Sequence, residues 1–344
     1  MNMTHNKFDG YDIIGDIHGC ATELESLLTR LDYRQGDDGA YRHQSRQALY
    51  VGDLIDRGPE QLRVLRIVKD MVDAGAAQMV LGNHEFNAMA YHTEDPAKPG
   101  KYLRPHGDPE NGWSEKNERQ HKAFVGQVRG KYRKRHLKWF WTQPLWLDLG
   151  EIRVVHACWH PDSISLLESA LGGDRFRTVA QLARASDPGD ELYTAVETIL
   201  KGPEISLVDH GQPAYRDKDG IERKRARMRW WDPAAVTLRD LAEMGNFRAT
   251  DGTKYPPLPN TTVAESNSHR YTDQVPVFYG HYWRRGKEPI RQQDWTDYTA
   301  CVDFSAIKSN VLMAYRWSAG EGRIDPSNYV WVAAREFTTE GEAK

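Results

Sequence analysis

Short apolar runs along this chain stop abruptly at residues that can hold a metal. Ile13-Ile14 leads into Gly15-Asp16-Ile17-His18, Leu49-Tyr50-Val51 into Gly52-Asp53, and Met79-Val80-Leu81 into Gly82-Asn83-His84-Glu85. Further on, Val154-Val155 precedes His156, and Val277-Phe278-Tyr279 precedes Gly280-His281. Runs of this length read as buried strands, with the polar residue where each strand stops. Helical stripes lie between the early runs. Leu24, Leu27, Leu28 and Leu31 recur on one helical face, and Leu62, Leu65, Val68 and Val72 make a second stripe closed by Gly75. Phe86 to Tyr91 reads as a third helix. This alternation predicts an α/β layer structure with its active groups at strand ends.

The rest of the chain departs from that rhythm. Thr93 to Gly112 is rich in Pro, Gly and charge and reads as a long exposed loop. Lys116 to Trp141 reads as a charged helical insert that carries Arg129, Lys131, Arg133, Lys134, Arg135 and Lys138. Strands resume at Trp146 to Leu149 and Ile152 to His156. His160 to about Arg248 reads as mainly helical, and Asp251 to Pro276 as loop. The end returns to β at Val277 to Tyr279, Ala300 to Phe304, Val311 to Trp317 and Tyr329 to Ala333. Ligand-bearing strands lie on both sides of the helical part. That predicts a single domain over 1–344, with insertions at about 93–141 and 160–275, and no repeat of fixed period is visible.

Composition narrows the class only a little. The chain has 344 residues, enough for a sizeable core, and a formal net charge of -3, which argues neither for nor against an anionic partner. Cys20, Cys158 and Cys301 have no regular spacing, so neither a disulfide framework nor a zinc knuckle is indicated. Met1 to Gly10 is polar and lacks the apolar region of a secretory signal. No run approaches the length of a membrane span. A cytoplasmic protein without membrane partners is the expectation.

The chemistry comes from the strand ends taken together. Singly, Asp16 and Asp53 could be turn formers beside glycine, and His156 and His281 hydrogen-bonded core residues. An ordered set at five strand ends is hard to reach in that way. Asp16, His18, Asp53, Asn83, His156 and His281 make a mixed oxygen and nitrogen set, suited to Mn, Fe, Zn or Mg rather than to a sulfur-bound metal. Two cations held about 3.5–4 Å apart can activate water and clamp both oxygens of an in-line displacement.

Three of these stretches carry a resemblance. Gly15-Asp16-Ile17-His18-Gly19, Gly52-Asp53-Leu54-Ile55-Asp56-Arg57-Gly58 and Gly82-Asn83-His84-Glu85 resemble the signature blocks of the PPP-type metallophosphoesterases. That calcineurin-like family includes Ser/Thr protein phosphatases and bacterial diadenosine-tetraphosphate hydrolases. His156 and His281 resemble its two later histidine ligands, and Arg229-Trp230-Trp231-Asp232-Pro233 loosely resembles a Trp-x-Asp-Pro stretch of the protein phosphatases.

The resemblance implies an α/β fold, a four-layer αββα sandwich of two mixed sheets flanked by helices. It implies two divalent ions, with Mn2+ foremost and Fe, Zn, Ni or Co acceptable. Asp16, His18 and Asp53 would hold one ion. Asp53 would bridge to a second, also held by Asn83, His156 and His281. His84 would protonate the leaving oxygen, with Asp56 holding its ring in position. Arg57 would bind phosphoryl oxygens, its planar fork matching phosphate geometry.

A second phosphate-binding arginine is expected between the late histidines, and Arg229 is the choice from the run Arg223 to Arg229. The implied activity is in-line hydrolysis of a phosphomonoester, as in Ser/Thr phosphatases. Symmetrical dinucleoside-tetraphosphate hydrolysis and polynucleotide end processing are the alternatives. The partner would be a phosphorylated substrate, phosphoprotein or nucleotide, with nucleic acid less favoured. Asp56, Arg57, His84 and Glu85 together resemble the phosphatase form of the blocks. Cys301-Val302-Asp303-Phe304-Ser305 stands where bacterial relatives often have Asp-Thr-Gly.

Overall fold

Two mixed β-sheets stack face to face, and the alternation of side chains along their strands explains the stacking. The computed structural model describes residues 8–217, 220–245 and 247–335. Of the polar stretch Met1 to Gly10, residues up to Lys7 lie outside them. In the first sheet Gly10–Ile14, Arg46–Tyr50 and Ala77–Met79 run parallel. Val311–Ser318 and Tyr329–Ala333 complete it, each antiparallel to its neighbour. In the second sheet Arg153–Val155, Val277–Tyr279 and Thr299–Cys301 run parallel, and Trp146–Asp148 is antiparallel at the edge.

Successive side chains on a strand point to opposite faces. Ile13, Leu49, Val51, Val154, Phe278 and Ala300 therefore meet between the sheets in one apolar cluster. Their neighbours Ile14, Tyr50, Val155, Val277 and Tyr279 face outward. Helices α1 (Ala21–Arg30) and α2 (Gln61–Asp73) belong to that outer cluster. Across the molecule Tyr279 packs on Trp230 and Trp231, with ring centroids 4.9 and 5.7 Å away. The chain is thus an α/β protein with two mixed sheets, as expected. The parallel strands of each sheet end at one edge, the usual location of ligands in such folds.

Helix α3 (Asn83–Tyr91) starts at the third strand end itself, three residues earlier than the apolar pattern indicates. The insert after it is two helices, α4 (Ser114–Gln127) and α5 (Gly130–Phe140), rather than one. Val128 and Arg129 are extended and Gly130 has φ of 56°, so the helical path breaks there. On α2 the buried stripe is Val64, Leu65, Ile67, Val68 and Met71. Leu62 and Val72 are only partly buried at its flanks.

Beyond the second sheet's first strands, α6 (Pro161–Leu171), α7 (Val179–Ser186) and α8 (Glu191–Lys201) follow the expected helical reading. From Glu204 onward that reading fails. Glu204–Ser206, Arg225–Met228 and Ala242–Glu243 form one small sheet, and Tyr215–Arg216, Glu222–Arg223 and Arg248–Ala249 another. Arg225 is exposed, Ala226 buried, Arg227 half-buried and Met228 buried. That is a period of two, which the density of charge obscures.

Phe278 is fully buried between the sheets. Phe278→Ala is expected to cost about 3–5 kcal/mol of unfolding free energy, measured by urea titration of the metal-free protein. A loss below about 1 kcal/mol would mean the sheets do not pack through this ring.

Candidate functional site

The strand ends converge on the carboxylate of Asp53. Asp16, His18, Asp53, Asn83, His156 and His281 are all buried. His18 Nε2 lies 3.5 Å from Asp53 Oδ2, and His156 Nε2 lies 3.5 Å from Asp53 Oδ1. Asn83 Oδ1 is 3.0 Å from His156 Nε2. The His281 backbone N–H points at Asp16, 3.2 Å from Oδ2. Two overlapping groups of candidate ligands result, His18, Asp53 and His84 on one side and Asp53, His156 and His281 on the other. Asp53 belongs to both, one oxygen toward each.

The backbone bends sharply to make this arrangement. His18, Asp53, Asp56, Arg57 and His281 all have φ between 47° and 70°. Non-glycine residues held there cost on the order of 1–3 kcal/mol each and persist only when their surroundings hold them. Glu85 supplies much of that hold. Its buried carboxylate accepts the N–H groups of Asp53, Leu54, Ile55 and Gly82, at 2.8 to 3.3 Å. It ties the second strand end to the first turn of α3. The His84 N–H, in that turn, donates to Asp53 Oδ1 at 2.9 Å.

The residues fit a divalent cation pair. His18 Nδ1 is 2.8 Å from the Ile55 carbonyl, and His156 Nδ1 is 2.8 Å from the Val51 carbonyl. A carbonyl only accepts, so both Nδ1 atoms carry hydrogen and both Nε2 atoms are bare in the neutral ring. Burial, then nearby positive charges, keep His18 and His281 well below the usual histidine range, in the neutral form a metal needs. The Nε2 atoms of His18 and His281 are buried with no hydrogen-bond partner among the described residues. A Cβ at Gly280 would sit 2.1 Å from Asp16 Oδ1, so glycine leaves that carboxylate its place.

Buried acids crowd this point, and nearby positive charges offset them only in part. Burial pushes Asp16 up, reinforced by Asp303 and Asp53. Burial also raises Asp53, against His84 and Arg57. Glu85 is pushed up to about 8, by burial and then by the Asp53 charge. A cation beside Asp53 would relieve all three.

His84 falls in the first group by distance, but its ring is engaged elsewhere, with Nδ1 2.6 Å from Asp56 Oδ2 and Nε2 3.4 Å from Arg57 Nη2. The Arg57 guanidinium lies over the Trp283 ring at 4.6 Å, with its Nη1 buried and unpartnered among the described residues. Arg229 has other partners here. Its Nη2 donates to the Gln292 carbonyl at 2.7 Å and lies 3.9 Å from Asp232. Arg227, two residues earlier on a strand, is the member of the basic run whose charge depresses His156 and His281.

Two further residues escape the sequence reading. Asp303 is buried, accepts the N–H of Trp283 and Ser305, and adds its charge to Asp16 and Asp53. It follows the apolar run Ala300 to Val302, the same signal that marked the other strand ends. His121 is fully buried, with Nδ1 2.9 Å from Asp56 Oδ2. The inward spacing of Ser114, Asn117, His121 and Phe124 on α4 is the signal that could have found it.

Residues 11–181 match the family model of the calcineurin-like phosphoesterases. The matched segment is just under half of the chain. It holds Asp16 through His156 of the candidate set, and His281 lies beyond it. An asymmetrical bis(5'-nucleosyl)-tetraphosphatase, PrpE, of Oceanobacillus iheyensis is 31% identical over 147 residues, 42% of this chain and 54% of that protein. A symmetrical bis(5'-nucleosyl)-tetraphosphatase of Psychromonas ingrahamii is 40% identical over 80 residues, 23% of this chain and 25% of that protein. The chain therefore spans about half the length of the first relative and a quarter of the second. A protein serine/threonine phosphatase structure from Saccharomyces cerevisiae is similar with a TM-score of 0.48 at 15% identity, covering 99% of this chain and 85% of that one.

Loading the protein with divalent ions is expected to release protons near neutral pH. Asp16, Asp53 and Glu85 are raised in the metal-free protein, whereas His18 and His281 are already neutral. Titration calorimetry in buffers of different ionisation enthalpy measures the release, and uptake of protons would contradict this charge balance. Ions at 100 times their dissociation constant should also add about 2.7 kcal/mol of stability, seen as a rise in Tm that Asp53→Asn abolishes.

Proposed function

We propose that this chain is a phosphoesterase using two divalent metal ions, with phosphomonoesters as its substrates. The reading is carried by one juxtaposition. His84, fastened at Nδ1 to Asp56, stands 3.8 Å from the carboxylate oxygen of Asp53 that also faces His18. A proton donor is thereby set beside a cluster of candidate ligands.

In this reading Asp16, His18 and Asp53 hold one ion, and Asp53, Asn83, His156 and His281 the other. When bound, such ions supply a nucleophilic water at neutral pH and polarise the phosphoryl oxygens. Mn2+ is the proposed occupant of both positions, and the oxygen and nitrogen donor set is consistent with it. The remaining chemistry belongs to the chain. Arg57, stacked on Trp283, directs its guanidinium at the phosphoryl group, and its buried Nη1, without a partner among the described residues, supports that role. His84 gives its Nε2 proton to the leaving oxygen, while Asp56 keeps the ring oriented. Arg227 and Lys201 add positive charge on the His281 side, which favours an anionic ligand. All three cysteines are free and buried, which suits a reducing, cytoplasmic setting.

A second reading is dinucleoside-tetraphosphate hydrolysis. The names of the relatives favour it, and the positive charges of Arg57, Arg227 and Lys201 would suit a longer phosphate chain. Glu85 does not separate the two readings, because its carboxylate is consumed by four backbone N–H groups rather than facing a ligand.

With Mn2+ present, the protein is expected to hydrolyse p-nitrophenyl phosphate and phosphopeptides. Activity on dinucleoside tetraphosphates alone would replace the first reading by the second. His84→Ala should lower kcat on phosphopeptides by about 10²–10⁴-fold at unchanged metal content, checked by steady-state kinetics and elemental analysis. Loss of metal along with activity would remove the acid assignment.

A further inference from the structure

The insert contributes a side chain to the centre of the site. His121 lies on α4, in the segment between the third strand end and the second sheet, and is fully buried. Its Nδ1 is 2.9 Å from Asp56 Oδ2, the oxygen that His84 Nδ1 approaches to 2.6 Å. Burial works against an ionised Asp56. The charges and hydrogen bonds of His121 and then His84 overcome it and hold the carboxyl well below the usual range. An ionised carboxylate oxygen only accepts, so both rings bring an Nδ1–H to it.

The other supports of Asp56 are few. Its backbone N–H donates to Gln61 Oε1 at 2.7 Å, its φ of 69° is strained, and its Oδ1 has no partner among the described residues. Among the described residues, without His121 the carboxylate would be fastened only by the ring that it is meant to orient. Tyr91 packs edge-on to His121 at 5.1 Å and fixes the direction of its ring.

We propose that His121 is a positioning residue for the proton donor: by anchoring Asp56 Oδ2 from the far side, it makes His84 present its Nε2–H to the leaving oxygen. This rests on the reading of the chain as a phosphoesterase with His84 as acid. In the step concerned, the oxygen of water bonds to phosphorus and the bond from phosphorus to the leaving oxygen breaks with its electron pair. That oxygen takes the Nε2 proton of His84, and the proton lost by the water returns the ring to its starting form. His121 touches neither substrate nor reacting atom.

The position of the leaving oxygen's demand for a proton makes the idea testable. With the full chain and Mn2+, phenyl phosphate needs protonation on departure and 2,4-dinitrophenyl phosphate does not. His121→Ala is expected to lower kcat on phenyl phosphate about tenfold or more, with KM unchanged and with 2,4-dinitrophenyl phosphate turnover within about twofold of the parent. His121→Asn, which keeps an N–H donor, should restore most of the lost rate. In a His84→Ala background His121→Ala should cost nothing further. In the metal-free protein, ring-nitrogen NMR should show an Nδ1–H of His84 held in a hydrogen bond, and that bond should loosen in His121→Ala. Equal losses on both substrates without rescue by Asn would make His121 merely structural and overturn the proposal. Parent-like rates for His121→Ala on both substrates would overturn it as well. Those outcomes leave the functional reading intact. Failure of the parent protein to cleave either ester would overturn that reading and the proposal together.

Discussion

The site is organised around the buried charge of Asp53. Its carboxylate is out of water at the edge of two sheets, and two further acids, Asp16 and Asp303, act on it or on each other nearby. Uncompensated charge in such surroundings is costly. The chain answers with the backbone N–H of His84 and with the charges of His84 and Arg57. The twisted sheets explain how residues so far apart in sequence reach one point. Parallel strands of both sheets stop at the same edge, and each stops at a polar residue.

The most legible part of the chain was the part with a simple period. Ile13, Leu49, Val154 and Phe278 point inward because strands alternate, and the residues after their runs fall at the site for the same reason. The helices at 21–30 and 61–73 follow from their apolar stripes. Elsewhere charge disguised the period. Arg225 to Met228 reads as a basic patch, yet it is a strand with Ala226 and Met228 turned in. Arg229 is the expected partner of phosphate from its place between the late histidines, and Arg227 is a member of the same run whose charge reaches His156 and His281.

His121 and Asp303 were missed for different reasons. Asp303 obeyed the strand-end rule but sat in a stretch judged by its departure from Asp-Thr-Gly. His121 sits among charged residues on α4, where only its helical spacing from Ser114, Asn117 and Phe124 marks the inner face. Long-range partners of this kind cannot be read from local sequence, because His121 meets Asp56 across 65 positions of chain. Glu85 is a similar case. Its place in the third block is plain, while its work on the backbone of the second block is visible only in three dimensions.

The carbonyl groups of Ile55 and Val51 have one more consequence. They fix His18 and His156 before any ion arrives, since each ring has its donor end committed and its bare end presented. Capture of an ion would then require little rearrangement of these two candidate ligands, and little of the binding energy would go into ordering them. The oxygen and nitrogen donors of such a cage would suit several divalent ions. The supply of metals in the cell, more than the protein, would select the occupant, and the same polypeptide could work with different metals as that supply changes.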